Sequence, residues 1–165
     1  MANNDPIAYF ITWVTYGTWL PGEERGWVDY RQGWQIPSRI LEEDCAARMS
    51  EGSCVLTPEE RMIVERQVAE TCEYKGWQLY AVQCRSNHVH VVVAATAKPE
   101  LIREQLKAWC SRRLNEHRTI TTAETGRAKW WAERRSIRWI WKDDSLVRVV
   151  EYVVEPQDNP RRYES

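Results

Sequence analysis

The residues best suited to chemistry are two histidines in the run Arg85-Ser86-Asn87-His88-Val89-His90-Val91-Val92-Val93. Serine and asparagine favour a turn and the valines favour a strand. Alternate side chains of a strand share a face, so His88 and His90 point one way while Val89 and Val91 point the other way into a core. Two residues of rise set the imidazoles roughly 7 Å apart, and both could lean onto one divalent cation. An isolated His-x-His is more often only the polar face of an amphipathic strand. The case for chemistry has to come from the rest of the chain.

With 165 residues, the chain is long enough for one domain with a substantial core. The expectation is a single domain over 1–165, with a loop-rich insertion at about 17–56 and a mobile tail at about 158–165. No apolar run is long enough to span a bilayer. The start, Met1 to Pro6, has no basic segment followed by an apolar one, so it does not read as a signal peptide. The five cysteines (Cys45, Cys54, Cys72, Cys84, Cys110) form no CxxC pair, which argues against zinc-ribbon and disulfide scaffolds and for thiols in a reducing cytoplasm.

The net charge is only −1, but it is unevenly spread. Residues 1–75 hold seven Lys and Arg against thirteen Asp and Glu, whereas residues 101–148 hold twelve against six. That asymmetry points to one basic face for a polyanion, although a solvated helix surface would look similar. Ten tryptophans exceed what a core of this size needs. Most must pack, and some could stack on unpaired bases.

The positioning elements follow from local pattern. Tyr9 to Tyr16 is aromatic and β-branched and reads as a first strand; a Gly/Pro-punctuated loop follows. Thr57-Pro58-Glu59-Glu60 starts a helix, with Thr at the cap and Glu three residues on. Ile63, Val64, Val68 and Cys72 give it an apolar stripe, and Gly76 closes it. Trp77 to Cys84 forms a hairpin with the histidine strand. Ala97-Lys98-Pro99-Glu100 opens a second helix carrying Leu101, Ile102, Leu106, Trp109, Cys110 and Leu114, with Arg103, Lys107, Arg112, Arg113 and Arg118 on its outer side. Ser136 to Trp141 is a further strand. Asp143-Asp144-Ser145 is read as the cap of a last helix, Leu146 to about Val154, which Pro156 ends at Glu155. The order β-α-β-β-α-β plus a terminal helix matches an α+β, ferredoxin-like split βαβ sandwich: an antiparallel sheet with both main helices on one face.

Ser86-Asn87-His88-Val89-His90 followed by valines resembles the His-hydrophobic-His strand of the HUH single-tyrosine transposases. The likeness is to the REP-associated tyrosine transposase branch, or transposase IS200-like domains. Trp13-Val14-Thr15-Tyr16-Gly17-Thr18-Trp19-Leu20-Pro21-Gly22, Arg25-Gly26-Trp27, Trp130-Trp131 and Glu151-Tyr152-Val153-Val154-Glu155 are also similar to a subgroup of that family. The resemblance spans roughly residues 8 to 158.

It implies a DNA transposase and single-strand endonuclease that recognises hairpin DNA and cleaves and rejoins single strands. His88 and His90 would hold Mg2+ or Mn2+, and Tyr152 would attack phosphorus to give a 5′-phosphotyrosyl intermediate. Relatives often carry Gln or Asn four residues after the tyrosine, where this chain has Pro156. Gln157 and Glu155 are therefore the candidates for the third ligand. Arg103, Lys107, Arg112, Arg113, Arg127, Lys129, Arg134, Arg135 and Arg138 would contact phosphates. Trp19 and Trp130, with Trp27 and Trp34, are candidates for base stacking. The protein would work at the nucleoid, either as a homodimer with the tyrosine in trans or as a monomer with it in cis. Two other readings remain open: a domesticated hairpin-binding protein with little or no catalytic activity, and a hydrolase of small phosphoesters.

Overall fold

A strand that is apolar on both faces has to lie inside a sheet covered on both sides. Val89, His90, Val91, Val92 and Val93 are all buried, and their strand is at the centre of the fold. The computed structural model describes residues 5–17, 27–29, 33–35, 54–122, 126–133 and 136–155. In chain order these form β1 (Ala8–Val14), β2 (Trp27–Asp29), β3 (Gly33–Gln35), α1 (Pro58–Lys75), β4 (Gln78–Cys84), β5 (His88–Ala94), α2 (Pro99–Thr122), β6 (Ser136–Ile140) and α3 (Asp143–Val154). The main sheet runs β4-β5-β1-β6 with every pair antiparallel. The expected α+β order is present.

The two faces are covered by different helices. Ile11, Trp13, Val89, Val91 and Val93 pack with Val64, Val68 and Cys72 of α1 and with Ile102, Leu106, Cys110 and Leu114 of α2. Both main helices thus share one face, as the sequence pattern predicts. Leu101 and Trp109, grouped in the sequence with the apolar residues of α2, are exposed instead. On the other face Ala8, Ala81, Val92 and Ile140 pack with Val153 of α3, and Phe10, Val149, Val150 and Tyr152 adjoin them.

Local chemistry explains the helix ends. Glu60 N–H donates to the Thr57 hydroxyl at 3.2 Å, and Thr57 N–H donates to the Glu60 carboxylate at 3.1 Å. This reciprocal pair starts α1 at the predicted residue. Gly76 ends it with φ 72°, a left-handed conformation that a side chain would strain. Asp143 and Asp144, by contrast, do not precede α3. The cap position is Lys142, which makes no side-chain cap bond, and both aspartates sit inside the first turn. There their charge complements the positive end of the helix dipole.

Within the predicted insertion, β2 and β3 pair as a short hairpin. Near its end, Cys54 N–H donates to the Tyr16 carbonyl at 2.8 Å and Leu56 N–H to the Ser86 carbonyl at 2.7 Å. The tail at 158–165 lies outside the described residues. Among the described residues no helix is long and apolar enough to cross a membrane. Thr57→Ala removes one half of the α1 capping box and should lower stability by about 1 kcal/mol in urea melts. A change near zero would show that tertiary packing alone holds that helix end.

Candidate functional site

The turn before β5 fixes the first histidine. Arg85 N–H donates to the His88 carbonyl at 2.8 Å, closing a two-residue loop of Ser86 and Asn87. The Asn87 carbonyl accepts from Thr15 N–H at 2.9 Å. Its side-chain Oδ1 lies 2.7 Å from His88 Nδ1. The carbonyl-type oxygen makes Nδ1 the protonated nitrogen and leaves the lone pair on Nε2. The neighbouring strand orients the His90 ring: Thr12 is its cross-strand partner, and Thr12 Oγ1, a hydroxyl that can donate or accept, lies 2.8 Å from His90 Nδ1. Metal-binding histidines ordinarily have such a partner on the other ring nitrogen, which orients the ring. The two rings stand 4.7 Å apart, centroid to centroid, at 65°.

Burial, then the adjacent His88 and Arg85, pushes the His90 imidazole down to about 3 from its ordinary 6.5. It is therefore neutral at physiological pH, the state in which imidazole donates a lone pair. His88 and His90 do point to one face, and Val89 and Val91 to the other, as strand geometry predicts.

Tyr152 reaches the same face from α3. Its ring centroid lies 5.8 Å from that of His90 at 62°, within one chain. Phe10 completes the group, 5.3 Å from His90 and 6.2 Å edge-on from Tyr152. Beside Tyr152 opens a cleft of about 440 Å³ lined by Phe10, Ser136, Arg138, Arg148, Val149 and Tyr152. The β1–β6 register sets Phe10 against Arg138 and Thr12 against Ser136, so these side chains share the tyrosine's face. Arg148 lies one helical turn before Tyr152 and holds Asp144 at 3.4 Å. Arg148 was missed in the sequence, although its i,i+4 spacing to Tyr152 was the available signal.

Other expected residues fall elsewhere. Glu155 is exposed at the α3 cap, and no three His, Cys, Asp or Glu side chains among the described residues are placed to share a metal. Gln157, Trp19, Arg134 and Arg135 lie outside the described residues, and of Trp27 and Trp34 only the strand backbone is described.

Arg103 is not on the outer side of α2. It is 2% exposed and bonds Glu104 at 3.1 Å. It lies three and seven residues before Leu106 and Cys110, which brings it onto the covered arc of the helix. Trp130 is likewise a core residue, 1% exposed. Its Nε1–H donates to Asn115 Oδ1 at 2.8 Å, and Arg118 lies 4.6 Å above its ring. It is sealed from any base.

The remaining basic residues of α2 have partners within the chain. Lys107 Nζ donates to the Ala132 carbonyl at 3.3 Å. Arg113 meets Gln67, Glu70 and Glu116. Arg112 lies 5.0 Å over Trp109. Arg127 and Lys129 lie 6.0 and 5.5 Å over Tyr16. Helix α2 as a whole packs on the sheet face opposite Tyr152.

The family model described as "Transposase IS200 like" matches residues 49–155, a stretch that includes His88, His90 and Tyr152. The chain belongs to the IS200-like transposase family. Among solved structures it is similar to a REP-associated tyrosine transposase bound to a REP hairpin, at 9% identity and TM-score 0.49, over 90% of this chain and 65% of that one. The chain thus spans a little under two thirds of that relative's length. It is also similar to a candidate transposase from Deinococcus radiodurans R1, at 12% identity and TM-score 0.50, over 93% and 92% of the two chains. At such identity the second likeness is one of fold. No curated protein sequence matches.

The buried imidazole should make this chain's fold acid-sensitive. Unfolded, His90 protonates near its ordinary value; folded, it resists until about 3. Between the two the unfolded chain binds more protons, so stability falls as pH is lowered, by at most about 1.4 kcal/mol per pH unit. Urea melts of the metal-free protein between pH 7 and 4 should show this slope, and His90→Gln should flatten it. An unchanged slope in the variant would place the acid sensitivity elsewhere.

Proposed function

We propose that this chain is a transposase that cleaves and rejoins single-stranded DNA beside a hairpin, with Tyr152 as nucleophile and His88 and His90 as ligands of Mg2+ or Mn2+. The observation that carries the reading is the 5.8 Å approach of the Tyr152 and His90 rings on one sheet face of one chain. Family membership supports the DNA-processing role and, through the resemblance, the hairpin. The residues present supply two of the ligands a divalent cation would need: two imidazoles on one strand face, each with a partner at Nδ1 and its centroid 4.7 Å from the other. When bound, the cation would polarise the scissile phosphate and stabilise charge developing on its oxygens.

The chain's own residues supply the rest. The Tyr152 oxygen forms a bond to phosphorus as the bond from phosphorus to the 3′ oxygen breaks. The phenol loses its proton, the departing 3′ oxygen gains one, and the 5′ phosphate stays on the tyrosine. That ester retains the energy for rejoining, so strand transfer needs no nucleotide cofactor. A phenol with an ordinary value of about 10 is a weak nucleophile at neutral pH. Arg138 and Arg148 line the tyrosine's cleft, where positive charge favours the phenolate and holds the flanking phosphates. Phe10 and Val149 make the apolar wall that orients the ring. Tyr152 and the His90 ring lie together within one chain, which supports attack in cis.

Labelled oligonucleotides carrying imperfect hairpins from the DNA flanking the gene, incubated with Mn2+, should give a covalent protein–DNA adduct that Tyr152→Phe reduces to background. An adduct of equal yield in the Phe variant would remove Tyr152 from the role. Salt-dependent hairpin binding without cleavage in any divalent metal would favour the domesticated binder, which Pro156 at the usual ligand position motivates. Arg138→Ala and Arg148→Ala should each weaken single-strand binding alike for all sequences and lower the salt slope by about 0.7 for each phosphate no longer neutralised. Arg112→Ala, on the opposite face, should leave both unchanged. The reverse pattern would move the DNA path to α2.

A further inference from the structure

Two imidazoles do not complete a site for a hard divalent cation, which prefers oxygen donors. No third His, Cys, Asp or Glu joins the pair among the described residues, and a proline occupies the position four residues after Tyr152. The neighbouring strand carries a side-chain oxygen in register with His90. Gln83 of β4 is the direct cross-strand partner of His90. Directly opposed residues of an antiparallel pair rise on the same face with Cβ atoms about 4.5–5.5 Å apart. The core assignments agree: Val82 and Cys84 pack with the α1 and α2 layer, while Ala81 packs with α3. Gln83, between Val82 and Cys84, faces the histidines. His90 is thus flanked by Thr12 of β1 on one side and Gln83 of β4 on the other.

The amide oxygen has no partner among the described residues. Gln83 Oε1 is buried and accepts no hydrogen bond among the described residues. Native proteins seldom leave a buried carbonyl-type oxygen unsatisfied, and each case calls for an explanation. We infer that Gln83 supplies the third, oxygen ligand of the divalent cation held by His88 and His90. A strand residue thereby takes the place that the family resemblance gives to a residue after the tyrosine. This rests on the metal-site reading above.

Two consequences follow from the chemistry. Two neutral imidazoles and a neutral amide cancel none of the cation's charge, so its full charge faces the phosphate. All three ligands also lie on adjacent strands of one sheet, which leaves the end of α3 to carry only the tyrosine.

Mn2+ itself is the probe, with free Mn2+ followed by electron paramagnetic resonance during titration. Thermal unfolding of each metal-free variant is measured alongside. Gln83→Met keeps the volume and removes the oxygen. It should weaken Mn2+ affinity about tenfold or more while its metal-free Tm stays at or above that of the unsubstituted protein, because a buried unsatisfied acceptor is gone. Gln83→Glu should retain binding, and Gln157→Ala should change nothing. Wild-type affinity in Gln83→Met, with affinity lost in His90→Ala, would overturn the Gln83 assignment alone. Unchanged affinity in His90→Ala would overturn the histidine site itself. A metal-free Tm well below wild type in Gln83→Met would show that the amide has a structural bond, and would also overturn the inference.

Discussion

The structure depends on the pairing of β1 with β5 in one register. That pairing sets Thr12 opposite His90 and Trp13 opposite Val89. Because side chains alternate, a slip of one residue would turn the histidines into the α1 and α2 layer and the valines toward α3. Neither face tolerates the exchange. The face under the two main helices is wholly apolar at Val89, Val91 and Val93, and a neutral imidazole there would lose the Thr12 hydroxyl. The face under α3 is mixed, with Val92 filling the apolar end and His88 and His90 at the polar end. Burying an imidazole this deeply is unfavourable unless its polar atoms find partners, and Thr12 and Asn87 provide them.

This division of the sheet explains why the candidate site sits where it does. Helices α1 and α2 cross-brace each other through buried side chains and through Arg118–Glu60 and Arg113–Glu70 pairs, forming a closed layer. Helix α3 has twelve residues and covers only part of its face. The uncovered remainder, between α3 and the edge strand β6, is the cleft beside Tyr152. A short helix against a four-stranded sheet leaves an open groove beside Tyr152, which the proposed binding of a long polyanion would require. The basic charge of the chain's second half is correspondingly split. Much of the α2 share is engaged within the chain, and Arg138 and Arg148 are the cations that line the cleft.

Local pattern carried most of the fold. The capping box at Thr57 and Glu60 and the left-handed Gly76 are statements about a few consecutive residues, and they hold in the structure. So does the alternation around His88 and His90, because a strand has only two faces. The exceptions lie where a neighbour decides. Asp143 and Asp144 are chemically suited to capping, yet α3 begins at Asp143, three residues before the expected Leu146, and they act through the helix dipole instead. Arg103 and Trp130 have the residue types of a nucleic-acid surface, but both are buried, Arg103 on the covered arc of α2 and Trp130 against Asn115 and Arg118 of that helix.

The sequence alone determined which residues share a strand face, where α1 begins and ends, and that two histidines stand together next to a valine core. Those properties follow from the fixed two-residue repeat of a strand and from backbone groups a few positions apart. Tertiary structure decided which face α3 would cover, and hence that Tyr152 meets His90 rather than the opposite layer. It also decided that Thr12 and Gln83 flank His90, and that Arg138 and Arg148, rather than the α2 row, line the tyrosine's cleft. Pairings between strands far apart in the chain depend on register and layer order, and no local repeat in the sequence encodes either.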